Sequence, residues 1–150
     1  MIVYRISNEL YKDDISGNGA AINGSRWNSP NIRMLYSGEN ISLTILESLV
    51  HLRKIDIPKN QYLLTIQISD IAVQDIELSK LKSKWKEHIS YTQWIGDQFI
   101  SAGTHLILKV PSAIVPQEHN FLINPLYKDF KKVKIVASEL LELDKRLLQT

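Results

Sequence analysis

Short apolar or alternating runs of residues predict the strands of this chain. They span residues 2–6, 32–37, 62–69 and 105–110, and Pro111 halts the last of them. Residues 133–143 fit either a strand or a helix, and residues 75–88 fit a strand end followed by a short helix. The stretches 7–31 and 116–125 are rich in polar residues, Gly and Pro, which predicts loops. Loops as long as the first are usually functional inside compact domains.

A first helix is predicted where apolar residues recur at helical spacing. It begins after Asn40 or Ser42, either of which can cap it, and runs to about Leu52. Glu47 and His51 are four residues apart, so they lie together on the edge opposite the apolar side. Taken alone, the pair is interpreted as a solvated contact of little energetic value.

A second helix is predicted from a capping box formed by Ser90 and Gln93. It runs to Ala102, because Gly103 is a typical helix stop. Its core face is predicted to carry Tyr91, Ile95, Phe99 and Ala102. Since strands and helices do not alternate regularly, we predict an α+β fold: a single domain over residues 1–150, with a curved mixed β-sheet and flanking helices.

Composition excludes several classes of function. The 150 residues include no Cys, which excludes disulfides, zinc–thiolate sites and cysteine nucleophiles, and the four His show no metal-ligand spacing, so no metal site is expected. A formal net charge of +2 is too weak to indicate a nucleic-acid binder. No apolar stretch is long enough for a membrane span, and the first residues do not resemble a secretory signal, so we expect a cytoplasmic protein.

Familiar nucleotide-binding and hydrolase motifs are missing from the sequence. There is no G-x-G-x-x-G after a strand and no P-loop, and Ser112 does not lie in a G-x-S-x-G context. An RNA-cleaving or nucleic-acid-binding module remains an alternative. However, its expected features, a basic stripe with interleaved aromatics or a pair of acid–base His, are not evident.

Several short motifs occur in an order that resembles the RES domain, the toxin of a bacterial toxin–antitoxin system. The similar segments are Tyr4-Arg5-Ile6, the Gly-containing turn at 16–20, Gly24-Ser25-Arg26-Trp27-Asn28, Leu35-Tyr36-Ser37, Leu46-Glu47, Ile95-Gly96-Asp97, Val110-Pro111-Ser112-Ala113 and the N-x-L-x-N-P-like loop 120–125. Ser25 stands where the family has a second Gly. The resemblance covers nearly the whole chain.

The resemblance implies an ADP-ribosyltransferase-like fold and an enzyme that consumes NAD⁺. It implies a toxin that depletes NAD⁺ by cleaving the nicotinamide–ribose bond, through hydrolysis or phosphorolysis. The alternative that it implies is a mono-ADP-ribosyltransferase toxin that modifies a protein target. On the matched positions it implies catalytic roles for Glu47, Arg26, Tyr36 and Ser112, and NAD⁺ contacts for Arg5, Arg26, Tyr36, Ser112 and Asn120. No cofactor is implied, because NAD⁺ is the substrate.

One carboxylate suffices for this chemistry. Nicotinamide is a cationic leaving group that departs neutral, so no general acid has to protonate it, unlike in ordinary glycosidases. A fixed anion near the anomeric carbon stabilises the developing oxocarbenium charge, an effect that can be worth about 3 kcal/mol. Glu47 is the candidate for this anion and for accepting the ribose 2′-hydroxyl.

The other candidates suit the remaining parts of NAD⁺. The diphosphate calls for planar bidentate donors, which Arg5 and Arg26 can supply better than Lys can. Tyr36 has an aromatic face that can stack on the nicotinamide. Ser112 can hydrogen-bond the carboxamide, the ribose or Glu47 itself, and these alternatives stay open.

The resemblance also implies a protein partner. This is an antitoxin with an Xre-like helix-turn-helix domain, whose C-terminal part covers the NAD⁺ pocket. Direct contact with nucleic acid is then not expected, because DNA is touched only through the antitoxin. A homodimer within a larger complex is compatible with this picture.

Overall fold

The computed structural model of the protein describes residues 1–52, 60–69 and 71–148. Within these ranges the chain forms seven strands and three α-helices, joined by loops and short 3-10 turns. The strands are β1 (Ile2–Asn8), β2 (Leu35–Gly38), β3 (Gln61–Ile68), β4 (Val73–Asp75), β5 (Ile107–Pro111), β6 (His119–Ile123) and β7 (Val133–Leu141). The helices are α1 (Asn18–Asn23), α2 (Ile41–His51) and α3 (Ile89–Ala102).

The strands lie side by side in one sheet, in the order β4-β5-β6-β2-β1-β3-β7. β4 is parallel to β5, and every other neighbouring pair is antiparallel. A mixed sheet with helices confirms the predicted α+β class. The ambiguous segment after residue 133 is the edge strand β7, which pairs with β3.

Two clusters of buried apolar side chains hold the helices and loops on the sheet. One contains Val3, Leu64, Ile66, Ile107 and Ile123, among others, from strands across the sheet. The second joins Trp27, Trp85 and Phe99 to Leu108, Val110 and Leu122 of β5 and β6. Since Trp27 lies in the long N-terminal loop and Phe99 on α3, the second cluster fixes both against the same two strands.

The prediction of a loop over residues 116–125 is wrong at its centre. Residues 119–123 form β6, which lies between β2 and β5 inside the sheet. Phe121, Leu122 and Ile123 are all buried. A strand covered on both faces carries a continuous apolar run rather than an alternation, and here prolines at 116 and 125 flank that run.

The capping box predicted for the second helix is also wrong. α3 begins at Ile89 with His88 as its N-cap, and no side chain caps it. Ser90 therefore lies inside the first turn, while Gln93 donates to the carbonyl of Ser25 in a distant loop. The predicted end of the helix is confirmed, because Gly103 adopts a left-handed conformation directly after Ala102. The prediction that Ala102 belongs to the core face is wrong, because this residue is exposed.

The pairing between β1 and β2 is interrupted at the end of β2 that begins with Leu35. β1 pairs with β3 along its whole length, but it meets β2 in register at one position, Tyr4 opposite Gly38. Beyond that pair, β2 continues towards Leu35 beside β6 and no longer pairs with β1. The backbone thus opens a cleft at the centre of the sheet, next to α2.

Candidate functional site

The cleft consists of two adjoining cavities that share a wall. The first, which we call the strand lobe, has a volume of about 300 Å³ and is lined by β1, β2 and α2. The second, the loop lobe, has a volume of about 460 Å³ and is lined by residues 23–27 and by parts of α2, α3 and the segment after β5. Both volumes fall in the range of small-molecule sites. The residues that line both lobes are Ser25, Tyr36, Glu47, His51 and Asn120.

Glu47 is presented to both lobes by α2. This helix begins where the predicted cap is, since Oδ1 of Asn40 accepts a 2.8 Å hydrogen bond from the backbone N–H of Leu43. Leu43 and Thr44 are buried on its inner side, which turns Glu47 and His51 towards the cleft. Glu47 and His51 share one edge of the helix, as predicted. The prediction that this edge lies opposite the apolar side is wrong, because it continues the side of buried Leu43 and Thr44 while Leu46 and Val50 are exposed.

Two side chains hold one oxygen of the Glu47 carboxylate. Oε1 accepts a 2.7 Å hydrogen bond from the Ser112 hydroxyl and a second of 2.7 Å from Nδ2 of Asn120. No residue of the described ranges donates a hydrogen bond to Oε2. One oxygen is therefore fixed by the protein, and the other is available to a ligand.

Ser112 acts on Glu47 and has no exposed surface of its own. Its hydroxyl oxygen accepts from the backbone N–H groups of Ile114 and Val115, at 3.0 and 3.1 Å. With both of these acceptor positions used, its single proton points to Glu47. The sequence left three hydrogen-bond partners open for Ser112: the carboxamide, the ribose and Glu47. In the structure Ser112 bonds to Glu47.

Asn120 reaches Glu47 from β6. It lies opposite Gly38 on β2 and opposite Val110 on β5, so its backbone is fixed on both sides. Gly38 leaves the space that this arrangement needs, because a Cβ there would meet the Thr44 hydroxyl and approach Oδ1 of Asn120. Asn120 was expected among the NAD⁺ contacts, and its position on the wall of both lobes is compatible with that expectation.

Tyr36 orders the turn that carries Arg26. Its hydroxyl accepts from the backbone N–H of Trp27 at 3.0 Å and donates to Oδ1 of Asn28 at 2.7 Å. Burial raises the pKa of this hydroxyl above its usual range, so it stays a donor at neutral pH. Asn28 is fully buried, and its amide also donates to the carbonyls of Ala20 and Ile32. Tyr36 therefore joins the floor of the cleft to the long N-terminal loop.

Helix α3 holds the same turn from the other side. The Thr92 hydroxyl donates to the carbonyl of Arg26, and Asp97 accepts from the backbone N–H of Ser29 at 2.9 Å. Gln93 adds its 2.9 Å bond to Ser25. The sequence marked Gly96-Asp97 only as part of a resemblance and did not reveal this supporting role.

Arg26 lines the loop lobe, with its guanidinium directed along the rim. Nη1 donates to the carbonyl of Lys86 at 2.9 Å, and the guanidinium carbon lies 5.8 Å from the ring centroid of Trp85. The aromatic partner of Arg26 is therefore Trp85, which lies in the short 3-10 turn before α3. These contacts are on the surface and can be exchanged for a ligand at small cost.

Arg5 fills the gap between β1 and β2. Its Nη1 donates to the carbonyl of Tyr36 at 3.0 Å, where the ladder between the two strands is missing. Its Nε is inaccessible to solvent and has no hydrogen-bond partner among the described residues. Burial lowers the pKa of the guanidinium, and the negative charge of Asp14 partly offsets this, but an arginine remains a cation at neutral pH.

A third cavity adjoins the strand lobe at Arg5. We call it the N-terminal cavity; it is lined by Arg5, Asn8, Tyr11, Asp14, Gly17 and Gln61, among others. Arg5 thus lies between the N-terminal cavity and the strand lobe, whereas Arg26 lies in the loop lobe, beyond Glu47. The structure therefore brings five of the six predicted residues to one continuous cleft and buries the sixth, Ser112, behind Glu47. It places the two arginines at different ends of that cleft.

A cluster of metal ligands and a membrane-spanning helix are both absent from the described residues. No three His, Asp or Glu side chains of the described residues are grouped as metal ligands. Among the helices described, none has the length and apolar character that crossing a bilayer requires. His51, interpreted from the sequence as a solvated residue, lines both lobes, and the clue was its four-residue spacing from Glu47.

Comparison with known proteins finds similar sequences over most of the chain. A family model described as the RES domain matches residues 2–144. A protein of Photorhabdus laumondii named Toxin Res is 34% identical over 135 residues, which cover 88% of this chain and 86% of that protein. A Sphingobium protein named Prs ADP-ribosylating toxin is 36% identical over 131 residues, covering 81% of this chain and 79% of that protein.

A solved structure has a similar fold at low sequence identity. It is the crystal structure of the MbcT–MbcA toxin–antitoxin complex of M. tuberculosis, in which one chain aligns with a TM-score of 0.78 and 19% identity. The alignment covers 93% of this chain and 83% of that one. At this identity the likeness shows a shared fold.

Proposed function

This chain belongs to the RES domain family, and we propose that it is the toxin of a bacterial toxin–antitoxin system and consumes NAD⁺. The reaction we propose is cleavage of the bond between nicotinamide and ribose, with water or phosphate as the acceptor. NAD⁺ is then the substrate and no further cofactor takes part. The proposed place of action is the cytoplasm, where the NAD⁺ pool lies.

The observation that carries this proposal is the arrangement around Glu47. Ser112 and Asn120 fix one carboxylate oxygen, and the other has no hydrogen bond from the described residues. A preorganised anion of this kind stabilises positive charge that develops in a transition state without having to reorganise. The ribose of NAD⁺ develops such a charge as the nicotinamide leaves. Oε2 of Glu47 can accept a hydrogen bond from the ribose 2′-hydroxyl.

The series of cavities suits a dinucleotide. The nicotinamide and its ribose would occupy the lobes on either side of Glu47, with the ring of Tyr36 on their shared wall. Arg5 would bind the diphosphate, because it is a cation that lines both the strand lobe and the N-terminal cavity. The adenosine would then extend into the N-terminal cavity. Arg26 would exchange its rim contacts for a phosphate or ribose oxygen on the loop side.

The direct test is to incubate the purified protein with NAD⁺ and measure nicotinamide by chromatography, with and without phosphate. We expect nicotinamide together with ADP-ribose, or with its phosphorylated form when phosphate is the acceptor. Glu47→Gln should keep the fold and lose at least about 100-fold in rate, because one charged group contributes about 3 kcal/mol. The matched control is Glu139→Gln, an exposed carboxylate on edge strand β7, which should keep full activity. Unchanged turnover by Glu47→Gln would refute the assignment of the anion.

A second candidate reaction is transfer of ADP-ribose to a protein. It is favoured by one observation, the name of the Sphingobium relative, which describes an ADP-ribosylating toxin. Both reactions would use the same cleft and differ in the acceptor. Incubating the protein with NAD⁺ labelled in its adenylate part and a cell lysate separates them. Label on a protein band supports transfer, whereas free labelled ADP-ribose supports hydrolysis.

We also propose an antitoxin partner of the Xre-like class, whose C-terminal part covers the cleft. The similar fold of a chain in the MbcT–MbcA toxin–antitoxin complex supports an antitoxin partner. Exposed apolar side chains at the mouth of the loop lobe, Val50 and Ile89, suit such a cover. Co-purification of the two proteins, with loss of NAD⁺ cleavage in the complex, would test this. Activity that is unchanged in a stable complex would contradict a cover over the cleft.

A further inference from the structure

His51 lies beside Glu47 at the mouth of the cleft. It is one helical turn after Glu47, lines the strand lobe and the loop lobe together with it, and is exposed at their mouth. Residues four apart on a helix have their Cβ atoms about 5–6 Å apart, so both side chains can face the same ligand. The side chain of His51 is exposed, and among the described residues none hydrogen-bonds to its imidazole.

The reaction leaves one proton to be removed, and the charged and titratable neighbours of His51 are poorly suited to accept it. Those that line the two lobes are Tyr4 and Arg5 on β1, Tyr36 on β2, Arg26 on the turn and Glu47 on α2. Arginines have no acceptor, and the Tyr36 hydroxyl is engaged on both sides. Two donors occupy one oxygen of the Glu47 carboxylate, and the proposed function uses its other oxygen beside the ribose. Imidazole changes its protonation between pH 5 and 8 and is the commonest general base.

We propose that His51 is a catalytic base that takes the proton of the acceptor hydroxyl; this inference rests on the proposed function. The bond between the ribose C1′ and the nicotinamide nitrogen breaks, and its electron pair stays with the neutral nicotinamide. The oxygen of the acceptor water forms the new bond to C1′. Its proton passes to the unprotonated nitrogen of His51 and from there to solvent, which the exposed ring can reach.

Azide provides the decisive test, because it is anionic at neutral pH and has no proton to lose. We expect His51→Gln to hydrolyse NAD⁺ about 100-fold or more slowly, within the range that general bases contribute. With azide present, His51→Gln should release nicotinamide and form the azido derivative of ADP-ribose at close to the wild-type rate. Glu47→Gln should lose both reactions, because the anion stabilises the ribosyl cation whatever the acceptor is. His105→Gln, a histidine away from both lobes, is the matched control.

The pH profile gives a second readout. The wild-type protein and His51→Gln should differ in the pH profile of hydrolysis, because the variant lacks the base that takes the proton from water. Full hydrolytic activity of His51→Gln, or equal losses with water and azide, would overturn the role of His51 while leaving the proposed function intact. A wild-type protein that releases no nicotinamide with either acceptor would instead overturn the proposed function, and the role of His51 with it.

Discussion

Gly96 on α3 lies directly against the backbone of Trp27, so that a Cβ at position 96 would overlap the carbonyl oxygen of Trp27. This contact sets how closely the helix approaches the turn that carries Arg26. The hydrogen bonds from Thr92 and Gln93 to the carbonyls of Arg26 and Ser25 depend on the same approach. The shape of the loop lobe is therefore determined by a glycine that does not line it.

Gly96→Ala should destabilise the protein and disturb the cleft. The added methyl meets rigid backbone, so we expect the free energy of unfolding to fall by about 3 kcal/mol, the upper part of the usual range for overpacking. Urea unfolding measures this. Gly19→Ala is the matched control, because an added Cβ there has open space around it and Gly19 lies in α1. That substitution should stabilise the protein by about 0.5–1 kcal/mol. Equal stability of the two variants would contradict the contact.

Ser112→Ala and Asn120→Ala should impair the same step, because both side chains donate to Oε1 of Glu47. We expect each to lower kcat about 10-fold, with the double variant losing less than the product of the two losses, since both effects pass through one atom. Ser112→Ala should also lower the free energy of unfolding by about 1–3 kcal/mol, because it leaves the N–H groups of Ile114 and Val115 unpaired. Steady-state kinetics with urea unfolding separates the two effects. Strictly multiplicative losses in kcat would speak against a shared target.

Arg5→Lys and Arg26→Lys should differ in stability while both weaken NAD⁺ binding. Arg5 is mostly buried and bonded to the carbonyl of Tyr36, so its replacement should lower the free energy of unfolding by about 1–3 kcal/mol. Arg26 has surface contacts, and its replacement should change that energy by less than about 0.5 kcal/mol. Both should raise KM for NAD⁺, because Lys lacks the planar fork. A stable Arg5→Lys variant with normal KM would refute both roles of that side chain.

Tyr36 should make the protein sensitive to alkali. Its pKa is raised by burial in the folded protein and is about 10 in an unfolded chain, so the unfolded state releases the proton first as the pH rises. The stability that this group contributes is present below about pH 10 and is lost above it, with a slope of up to about 1.4 kcal/mol per pH unit. Urea unfolding of wild type and Tyr36→Phe above about pH 10 isolates this slope, because the other tyrosines titrate in both proteins. Identical slopes would contradict the prediction.

Local signals in the sequence predicted the part of the site that one helix supplies. Asn40 capped α2 as expected, and the four-residue spacing put Glu47 and His51 on one edge. The same kind of signal was wrong for α3, because Gln93 bonds to a loop 68 positions away instead of closing a capping box. A contact between distant segments overrode a local preference that is worth only about 1 kcal/mol.

The contacts that complete the site could not be predicted from spacing. Ser112 and Asn120 are 65 and 73 positions from Glu47, and nothing local marks them as its partners. Asn120 was also hidden by the polar, proline-flanked sequence around β6, which predicted a loop. Only the resemblance to a family marked these positions, and it left the contact made by Ser112 open. The strand order, which places β6 beside β2, is what brings Asn120 to the acid.

The missing ladder between β1 and β2 has a consequence for how cells could escape the toxin. Arg5 replaces the absent backbone bonds by donating to Tyr36, so the residue proposed to hold the substrate also closes a break in the sheet. A spontaneous change at Arg5 should therefore spare the host by lowering the amount of intact protein. A change at Glu47 should leave abundant, harmless protein that still engages its antitoxin. Survivors of toxin expression should accordingly fall into two classes that immunoblotting can tell apart.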